Sequence, residues 1–183
     1  MKLYCFGESG HSYKAALALQ LAEIDWTPIF VDFFNGETRS DRYRNQVNEM
    51  GEAPVLVDGD IKLTQSGVIQ SYLYNKTGKH GGKDEAEKLE ILRWILWDNH
   101  KLSSFAGNTR FLMNFFPKDK RPQPVIDFNL ARLKSSYGIL ENALTDKDFL
   151  VGNKISHADM TCCAYLYYPE PFGFERDDWP NID

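Results

Sequence analysis

The chain has 183 residues, of which 43% are hydrophobic, so it is long enough for one or two domains with buried cores. Its 21 basic and 26 acidic side chains give a net charge of −5 without any basic block, which argues against nucleic acid and anionic membranes as partners. The N-terminal residues lack a signal-peptide pattern, and no run approaches the ~18 apolar residues of a membrane helix, so we expect a cytoplasmic protein.

The N-terminal part of the sequence predicts alternating strands and helices. Residues 2–6 have the pattern of a short strand, and apolar residues recur with helical spacing from Ser12 to Ala22. The β-branched and aromatic residues from Thr27 to Phe34 predict a second strand, which Asn35-Gly36 ends. A polar segment over residues 39–47 is expected to form a short helix.

A hairpin and a third helix complete the first predicted domain. The tripeptide Asp58-Gly59-Asp60 lies between two short apolar segments and predicts a tight antiparallel turn. Ser66 can cap a helix that ends near Thr77-Gly78. The predicted order is βαβα followed by ββα, an α/β domain over residues 1–77.

The pattern changes after a glycine-rich stretch at residues 78–83, which predicts a linker. Residues 84–183 are expected to form an all-helical domain. Its helical segments are predicted over residues 84–104, 124–144 and 156–168. Ser156 and Asp159 have the spacing of a capping box, which indicates a helix start and not catalysis. The residues from Trp179 onward resemble the start of another helix, so we expect the natural protein to continue by one or two helices.

The cysteines and histidines indicate neither a disulfide framework nor a metal site. Cys5, Cys162 and Cys163 cannot all pair, and two of them are neighbours, which favours a reducing compartment. The four histidines show no metal-ligand spacing with one another or with the cysteines. We therefore expect no bound metal.

Three motifs with candidate site residues and one helix-start motif together resemble those of a known family. They are Ser9-Gly10-His11-Ser12-Tyr13-Lys14, Gly51-Glu52-Ala53-Pro54-Val55-Leu56, Leu63-Thr64-Gln65-Ser66-Gly67-Val68-Ile69 and Gly152-Asn153-Lys154-Ile155-Ser156-His157-Ala158-Asp159. Together they resemble the glutathione transferase family over nearly the whole chain, with a likeness to bacterial-type, serine-class members related to the theta, zeta and beta classes. The resemblance implies a thioredoxin-like domain followed by an all-α helical bundle, glutathione as a co-substrate without a separate cofactor, and usually a homodimer.

The resemblance also implies how glutathione is held. The backbone of Ala53, turned by a cis bond to Pro54, would pair with the cysteinyl part of glutathione like an added strand. Gln65 and Ser66 would hold the γ-glutamyl group, whose carboxylate would be received by Ser66 and the free N–H groups of the helix start. Many relatives have Glu at the Gln65 position, so one charge for the glutathione ammonium is missing here. An acid elsewhere, in this chain or in a partner subunit, is expected to supply part of that role. The other predicted glutathione-binding residues are Ser9, His11 and Glu52.

Catalysis in this family needs the glutathione thiolate, since a free thiol with a pKa near ~8.5 is mostly protonated at neutral pH. A hydroxyl at the start of the first helix can donate to the sulfur, and the helix dipole adds a favourable field. Ser9 matches the position of the catalytic serine in the serine-type classes. Ser12 is the competing candidate, although it is also a candidate helix cap. Tyrosine-type classes have their hydroxyl at the end of the first strand, where this chain has Cys5, and no Cys-x-x-Cys pair supports disulfide exchange.

A second substrate is expected to lie against the helical domain. The candidate walls of its pocket are Phe105, Asn108, Phe111, Leu112, Phe115 and Tyr168. Such aromatic and apolar groups suit a hydrophobic electrophile, although helix packing accounts equally well for each residue taken singly. The resemblance thus implies a detoxifying transferase that conjugates glutathione to an electrophile. The alternatives are a glutathione-dependent reductase or isomerase, and a non-catalytic glutathione-binding or regulatory protein of the same fold. In the expected homodimer, Asp84 to Trp97 would contribute to the interface.

Overall fold

A computed structural model describes residues 1–182 of the chain, which divide into two units. The first unit is Met1–Gly81, and the second begins at Gly82. The division falls inside the glycine-rich stretch of residues 78–83. Each unit has its own buried apolar residues.

A four-stranded mixed sheet forms the centre of the first unit. Its strands are β1 (Lys2–Cys5), β2 (Thr27–Phe30), β3 (Val55–Asp58) and β4 (Ile61–Thr64), in the order β2-β1-β3-β4. β1 pairs parallel with β2 and antiparallel with β3, and β3 pairs antiparallel with β4. Leu3 lies opposite Leu56 across the β1–β3 ladder, and both side chains are buried in the core. The predicted hairpin is confirmed, with Gly59 at a φ of +59° in its turn.

Three helices accompany this sheet. They are α1 (Gly10–Leu21), α2 (Asp41–Gln46) and α3 (Ser66–Thr77). α1 contacts α3, and the buried residues that they contribute include Ala15, Leu19, Ile69 and Leu73. The βαβα–ββα order predicted for a thioredoxin-like domain is confirmed.

Two boundaries in the first unit differ from the sequence prediction. β2 ends at Phe30 and not at Phe34, because the chain turns: the Phe33 amide donates to the Val31 carbonyl at 2.9 Å. The helix expected from Ser12 begins instead at Gly10. Its first intrahelical bond runs from Tyr13 N to the carbonyl of Ser9 at 2.9 Å, so Ser9 is the residue that precedes the helix.

The second unit is helical in its described part, and residues 82–182 contain no strand. Its α-helices are α4 (Glu85–Trp97), α5 (Ser103–Arg110), α6 (Gln123–Ala143) and α7 (His157–Cys162). Single π-helical stretches at Asp98–Leu102 and Phe111–Phe115 follow α4 and α5, so the predicted helix over residues 84–104 is locally widened instead of regular. The helix predicted over residues 156–168 was too long, because α7 ends at Cys162.

Polar groups organise the interior of the second unit. The buried Asp98 carboxylate accepts hydrogen bonds from Ser103 Oγ at 2.7 Å and Thr161 Oγ1 at 2.8 Å. The predicted capping box is confirmed: Asp159 accepts from the Ser156 amide at 2.8 Å at the start of α7. Such bonds satisfy donors that the helix start would otherwise leave unpaired.

The final described residues do not form the predicted helix. Residues 180–182 form a turn, and the Trp179 ring packs against Tyr137 of α6 with a centroid distance of 5.7 Å. Asp183, the last residue of the segment expected to start a further helix, lies outside the described residues. Within residues 1–182, no helix combines the length and the apolarity that crossing a bilayer would require.

Candidate functional site

Ser9 occupies the N-cap position of α1. Its φ of −91° and ψ of 112° are extended, and its Oγ accepts a hydrogen bond from the Ser12 amide at 3.1 Å. A hydroxyl that accepts one bond still has its own proton to donate. The cap therefore leaves Ser9 able to donate to an anion at the positive end of α1.

Ser12 lies in the first turn of α1 and does not cap the helix, which corrects the alternative role considered for it. Its Oγ is buried and has no hydrogen-bond partner among residues 1–182. A buried hydroxyl gains free energy when it finds a partner. Ser12 thus remains a competitor of Ser9 as a thiol donor.

The loop before β3 is held from the inside by two buried side chains. Tyr43 Oη and Asn48 Nδ2 each donate to the carbonyl of Glu52 at 2.9 Å. Burial, with smaller contributions from Glu37 and Tyr4, raises the pKa of Tyr43 to about 12, so its hydroxyl remains a donor. These bonds fix the backbone immediately before Ala53 and Pro54, at the edge where strand β3 begins.

The bond between Ala53 and Pro54 is cis, as predicted. Pro54 is buried, whereas Ala53 is partly exposed. Gly51, two residues earlier, has a φ of +68°, and a Cβ at this position would lie 2.8 Å from the carbonyl oxygen of Thr38. Glycine is therefore required in this loop for both conformation and space.

Gln65 and Ser66 lie at the start of α3. Gln65 has a φ of +67° and takes the N-cap position, while Ser66 is the first helical residue, so the prediction that Ser66 caps this helix is wrong. A positive φ is uncommon for a residue other than glycine and often marks a functional position. The first helical bond runs from Ile69 N to Gln65 O at 3.0 Å, which leaves earlier amides of α3 without an intrahelical acceptor.

His11 and Ser66 meet across the first unit. Nδ1 of His11 lies 3.2 Å from Ser66 Oγ, in a partly buried position, although the two residues are 55 positions apart in the sequence. The contact joins the start of α1 to the start of α3, where two predicted glutathione-binding motifs begin. Neutral or protonated, the imidazole can take part in a hydrogen bond here, with a role that depends on its tautomer.

Glu52 and Gln65 form a second link between predicted site residues. Gln65 Nε2 donates to Glu52 Oε2 at 2.9 Å, and the Glu52 side chain is exposed. Gln65 Nε2 also lies 3.7 Å from the sulfur of Met50. The structure thus brings the Glu52-Ala53-Pro54 loop and the Gln65-Ser66 helix start together.

Cys5 lies at the end of β1 and is partly buried. Burial raises the pKa of the Cys5 thiol, and the hydrogen bond with the backbone of Ile29 opposes that effect only in part. A protonated thiol is a poor nucleophile. The structure therefore supports a structural role for Cys5 over disulfide exchange.

An aromatic cluster beside Ser9 was not predicted from the sequence. The rings of Phe6 and Phe33 stack with centroids 4.6 Å apart, and Phe34 contacts both rings edge-on at 6.3 and 5.6 Å. The Phe6 carbonyl accepts from the Ser9 amide at 3.2 Å, so the cluster adjoins the start of α1. Phe33 is 37% and Phe34 46% exposed. The signal available in the sequence was the pair of phenylalanines directly before the Asn35-Gly36 turn.

The predicted second-substrate residues of the helical unit form one partial cluster. The Arg110 guanidinium lies 3.9 Å from the Tyr168 ring centroid and 5.0 Å from that of Phe115. Arg110 is also paired with Glu170, its Nη2 lying 2.7 Å from Oε2, and this contact lowers the pKa of Glu170. Tyr168 and Phe115 thus both lie against one cation that the ion pair with Glu170 holds in place.

Two of the remaining predicted pocket residues contact other side chains of this unit. Phe105 lies 5.7 Å from the Arg132 guanidinium, and Phe111 packs near Phe116 at 6.0 Å. Asn108 is exposed and Leu112 is partly buried. Among residues 1–182, no group of three or more His, Cys, Asp or Glu side chains has an arrangement suited to a metal ion.

A mixed four-stranded sheet with helices, followed by an all-helical unit, is the two-domain architecture of a glutathione-dependent transferase. Comparison with known families agrees with this assignment. The sequence matches "Glutathione S-transferase, N-terminal domain" over residues 1–75 and "Glutathione S-transferase, C-terminal domain" over residues 108–183. The chain belongs to the glutathione S-transferase family, and it is a glutathione transferase.

Individual relatives support this assignment. Glutathione S-transferase F14 of Arabidopsis thaliana is 28% identical over 174 residues, covering 92% of this chain and 68% of the relative. A possible glutathione S-transferase from Rhodopseudomonas palustris has a TM-score of 0.89 at 25% identity, covering 99% of this chain and 82% of that one. A Burkholderia graminis glutathione transferase was solved with two glutathione molecules bound per subunit. It has a TM-score of 0.87 at 22% identity, and the match covers 99% of this chain and 79% of that one. At that identity, the last likeness concerns the fold alone.

Proposed function

We propose that the protein binds glutathione on its first unit, stabilises the thiolate with Ser9, and conjugates it to a hydrophobic electrophile. The observation that carries the proposal is the state of the Ser9 hydroxyl: it accepts a bond from the Ser12 amide, keeps its own proton, and lies at the start of α1. A donor in this position favours an anion over a neutral thiol.

The other predicted binding residues would hold the γ-glutamyl and cysteinyl parts of the tripeptide. The γ-glutamyl carboxylate would be received by Ser66, with His11 beside it, and by the free amides at the start of α3. The cysteinyl backbone would pair with Ala53, next to the carbonyl of Glu52 that Tyr43 and Asn48 hold in place. These contacts would position the glutathione sulfur, and the Ser9 hydroxyl would stabilise its negative charge.

The chemical step is a nucleophilic displacement or addition. The thiol proton leaves to solvent and the thiolate forms a carbon–sulfur bond. In a displacement, the leaving group departs with the electron pair of the bond that breaks. In an addition to an electrophilic double bond, the π pair moves to the far atom, which then takes a proton from solvent. Ser9 stabilises the reacting anion and takes no proton. The exposed Phe33 and Phe34 support an electrophile with an aromatic ring, since aromatic pairs gain free energy beyond burial alone.

We propose further that the protein is a cytoplasmic homodimer with a detoxifying role. Cys5, Cys162 and Cys163 form no disulfide within residues 1–182, which suits a reducing compartment. Leu89, Leu92 and Leu96 follow one face of α4 and are 64%, 43% and 61% exposed. An apolar helix face of this kind is typical of a surface that another subunit covers.

The test is turnover of the purified protein with glutathione and a panel of electrophiles, hydroperoxides and disulfides. Conjugation of an aryl electrophile, detected as a thioether product by mass spectrometry, is the expected result. Glutathione binding without any turnover across the panel would favour a non-catalytic protein. Exclusive activity on disulfides or hydroperoxides would replace conjugation with reduction.

A further inference from the structure

We propose that Glu52 supplies the negative charge that binds the α-ammonium group of glutathione, so that Glu52 and not Gln65 selects for the γ-glutamyl amine. This inference rests on the proposed glutathione site. The γ-glutamyl end of glutathione carries a carboxylate and an ammonium group together. Ser66, His11 and the free amides of α3 are suited to the carboxylate, because they offer donors. The neutral Gln65 amide cannot neutralise the ammonium.

The geometry places an anion at the required position. Glu52 Oε2 accepts from Gln65 Nε2 at 2.9 Å, and Gln65 directly precedes Ser66 at the start of α3. Gln65 uses one N–H of its amide on Glu52, with the weak acceptor Met50 Sδ 3.7 Å from the same nitrogen. Gln65 therefore orients the carboxylate, while the Glu52 charge stays available to a ligand.

The carboxylate is exposed but its backbone is fixed. Tyr43 and Asn48, which are 2% and 1% exposed, both donate to the Glu52 carbonyl. The side chain is thus anchored at its base by two buried donors and at its end by Gln65. A charge held in this way loses little further freedom when it binds a cation, which favours binding.

The first measurement needs no variant. Calorimetry on the parent protein compares glutathione with an analogue in which hydrogen replaces the α-amino group. We expect the analogue to bind about tenfold more weakly than glutathione. A buried charge pair would give a larger difference in affinity, but Glu52 is exposed and solvent screens its charge. Equal affinity of the parent for both ligands would overturn the inference, since no charge would then recognise the ammonium.

Variants assign the charge to a residue. Glu52→Gln should weaken glutathione binding about tenfold and raise KM, with kcat at saturating glutathione and the affinity for the analogue unchanged. Glu52→Gln combined with Gln65→Glu should restore glutathione affinity, because it moves the charge to the hydrogen-bonded neighbour. Glu49→Gln removes an exposed charge from the same loop and should leave both affinities unchanged.

The outcomes separate this inference from the proposed function. A parent protein that does not bind glutathione refutes both. A parent that binds and turns over glutathione, with Glu52→Gln equal to it in affinity for both ligands, refutes the role of Glu52 alone. Equal losses for glutathione and the analogue would also refute it, because Glu52 would then only position the loop. Thermal unfolding confirms that each variant is folded.

Discussion

Replacing Ser9 tests the proposed mechanism directly, provided that the effect of losing the helix cap is separated from the effect of losing the hydroxyl donor. Ser9→Ala removes both the helix cap and the hydroxyl donor, and loss of an N-cap costs about 1 kcal/mol of stability. Ser9→Gly also removes the hydroxyl, but glycine at the N-cap costs only about a few tenths of a kcal/mol relative to serine. The two variants should therefore differ in stability and agree in chemistry.

The size of the chemical effect follows from the lost hydrogen bond. A hydrogen bond to a charged group contributes about 1.5–3 kcal/mol, and one pKa unit corresponds to about 1.4 kcal/mol. The pKa of the enzyme-bound glutathione thiol should therefore rise by roughly one to two units in both variants. Turnover at neutral pH should fall by about ten- to a hundredfold. Glutathione affinity should change little, because Ala53, Gln65 and Ser66 would still hold the tripeptide.

The assay is ultraviolet titration of the bound thiolate in the parent and the variants, together with calorimetric affinity and thermal unfolding. Ser12→Ala is the matched control, since Ser12 lies in the same helical turn and its buried hydroxyl is not the cap. If Ser12→Ala shifts the titration and Ser9→Gly does not, Ser12 is the donor. If neither variant shifts it, a hydroxyl at this helix start does not activate the thiol.

Three further predictions address substrate, assembly and stability. Phe33→Ala should lower kcat/KM for an aryl electrophile more than for an alkyl one, and an equal loss would show that the aromatic cluster does not select the ring. Leu92→Glu should shift the full-length protein from dimer to monomer in light scattering, whereas a monomeric parent would refute the dimer itself. The Arg110 contact lowers the pKa of Glu170, so its stabilising effect is present above the ordinary carboxyl pKa and is lost as the pH falls through the folded pKa. Glu170→Gln should flatten the acid side of the stability profile in urea unfolding, and a parallel shift at every pH would contradict the ion-pair account.

The sequence predicted those parts of the fold that depend on local pattern. The hairpin was predictable because Asp58-Gly59-Asp60 contains the residues that a tight turn requires, and Gly59 does adopt a positive φ. The end of β2 was not predictable in this way. Phe33 and Phe34 have high strand propensity, but they lie in a turn in which Phe33 stacks on Phe6 and Phe34 contacts it edge-on, and Phe6 is far away in the sequence.

The site was predictable as a set of motifs but not as a set of contacts. Resemblance indicated that Glu52 and Gln65 bind glutathione, yet only the fold shows that they contact each other across 13 sequence positions. The resemblance therefore named Glu52 but not its contact with Gln65, on which its proposed role in binding the ammonium depends. The same limit applies to His11 and Ser66, whose contact spans 55 positions.

The choice between a structural and a catalytic serine illustrates a more general point about helix starts. From the sequence alone, helix capping and thiol donation are competing roles, divided between Ser12 and Ser9. The two roles need different parts of one hydroxyl group: the cap uses an oxygen lone pair to accept from the Ser12 amide, which leaves the proton for the proposed donation. Capping also fixes the rotamer of the hydroxyl at the positive end of the helix, where an anion is most favoured. A cap at this position therefore prepares Ser9 for the proposed chemistry instead of excluding it.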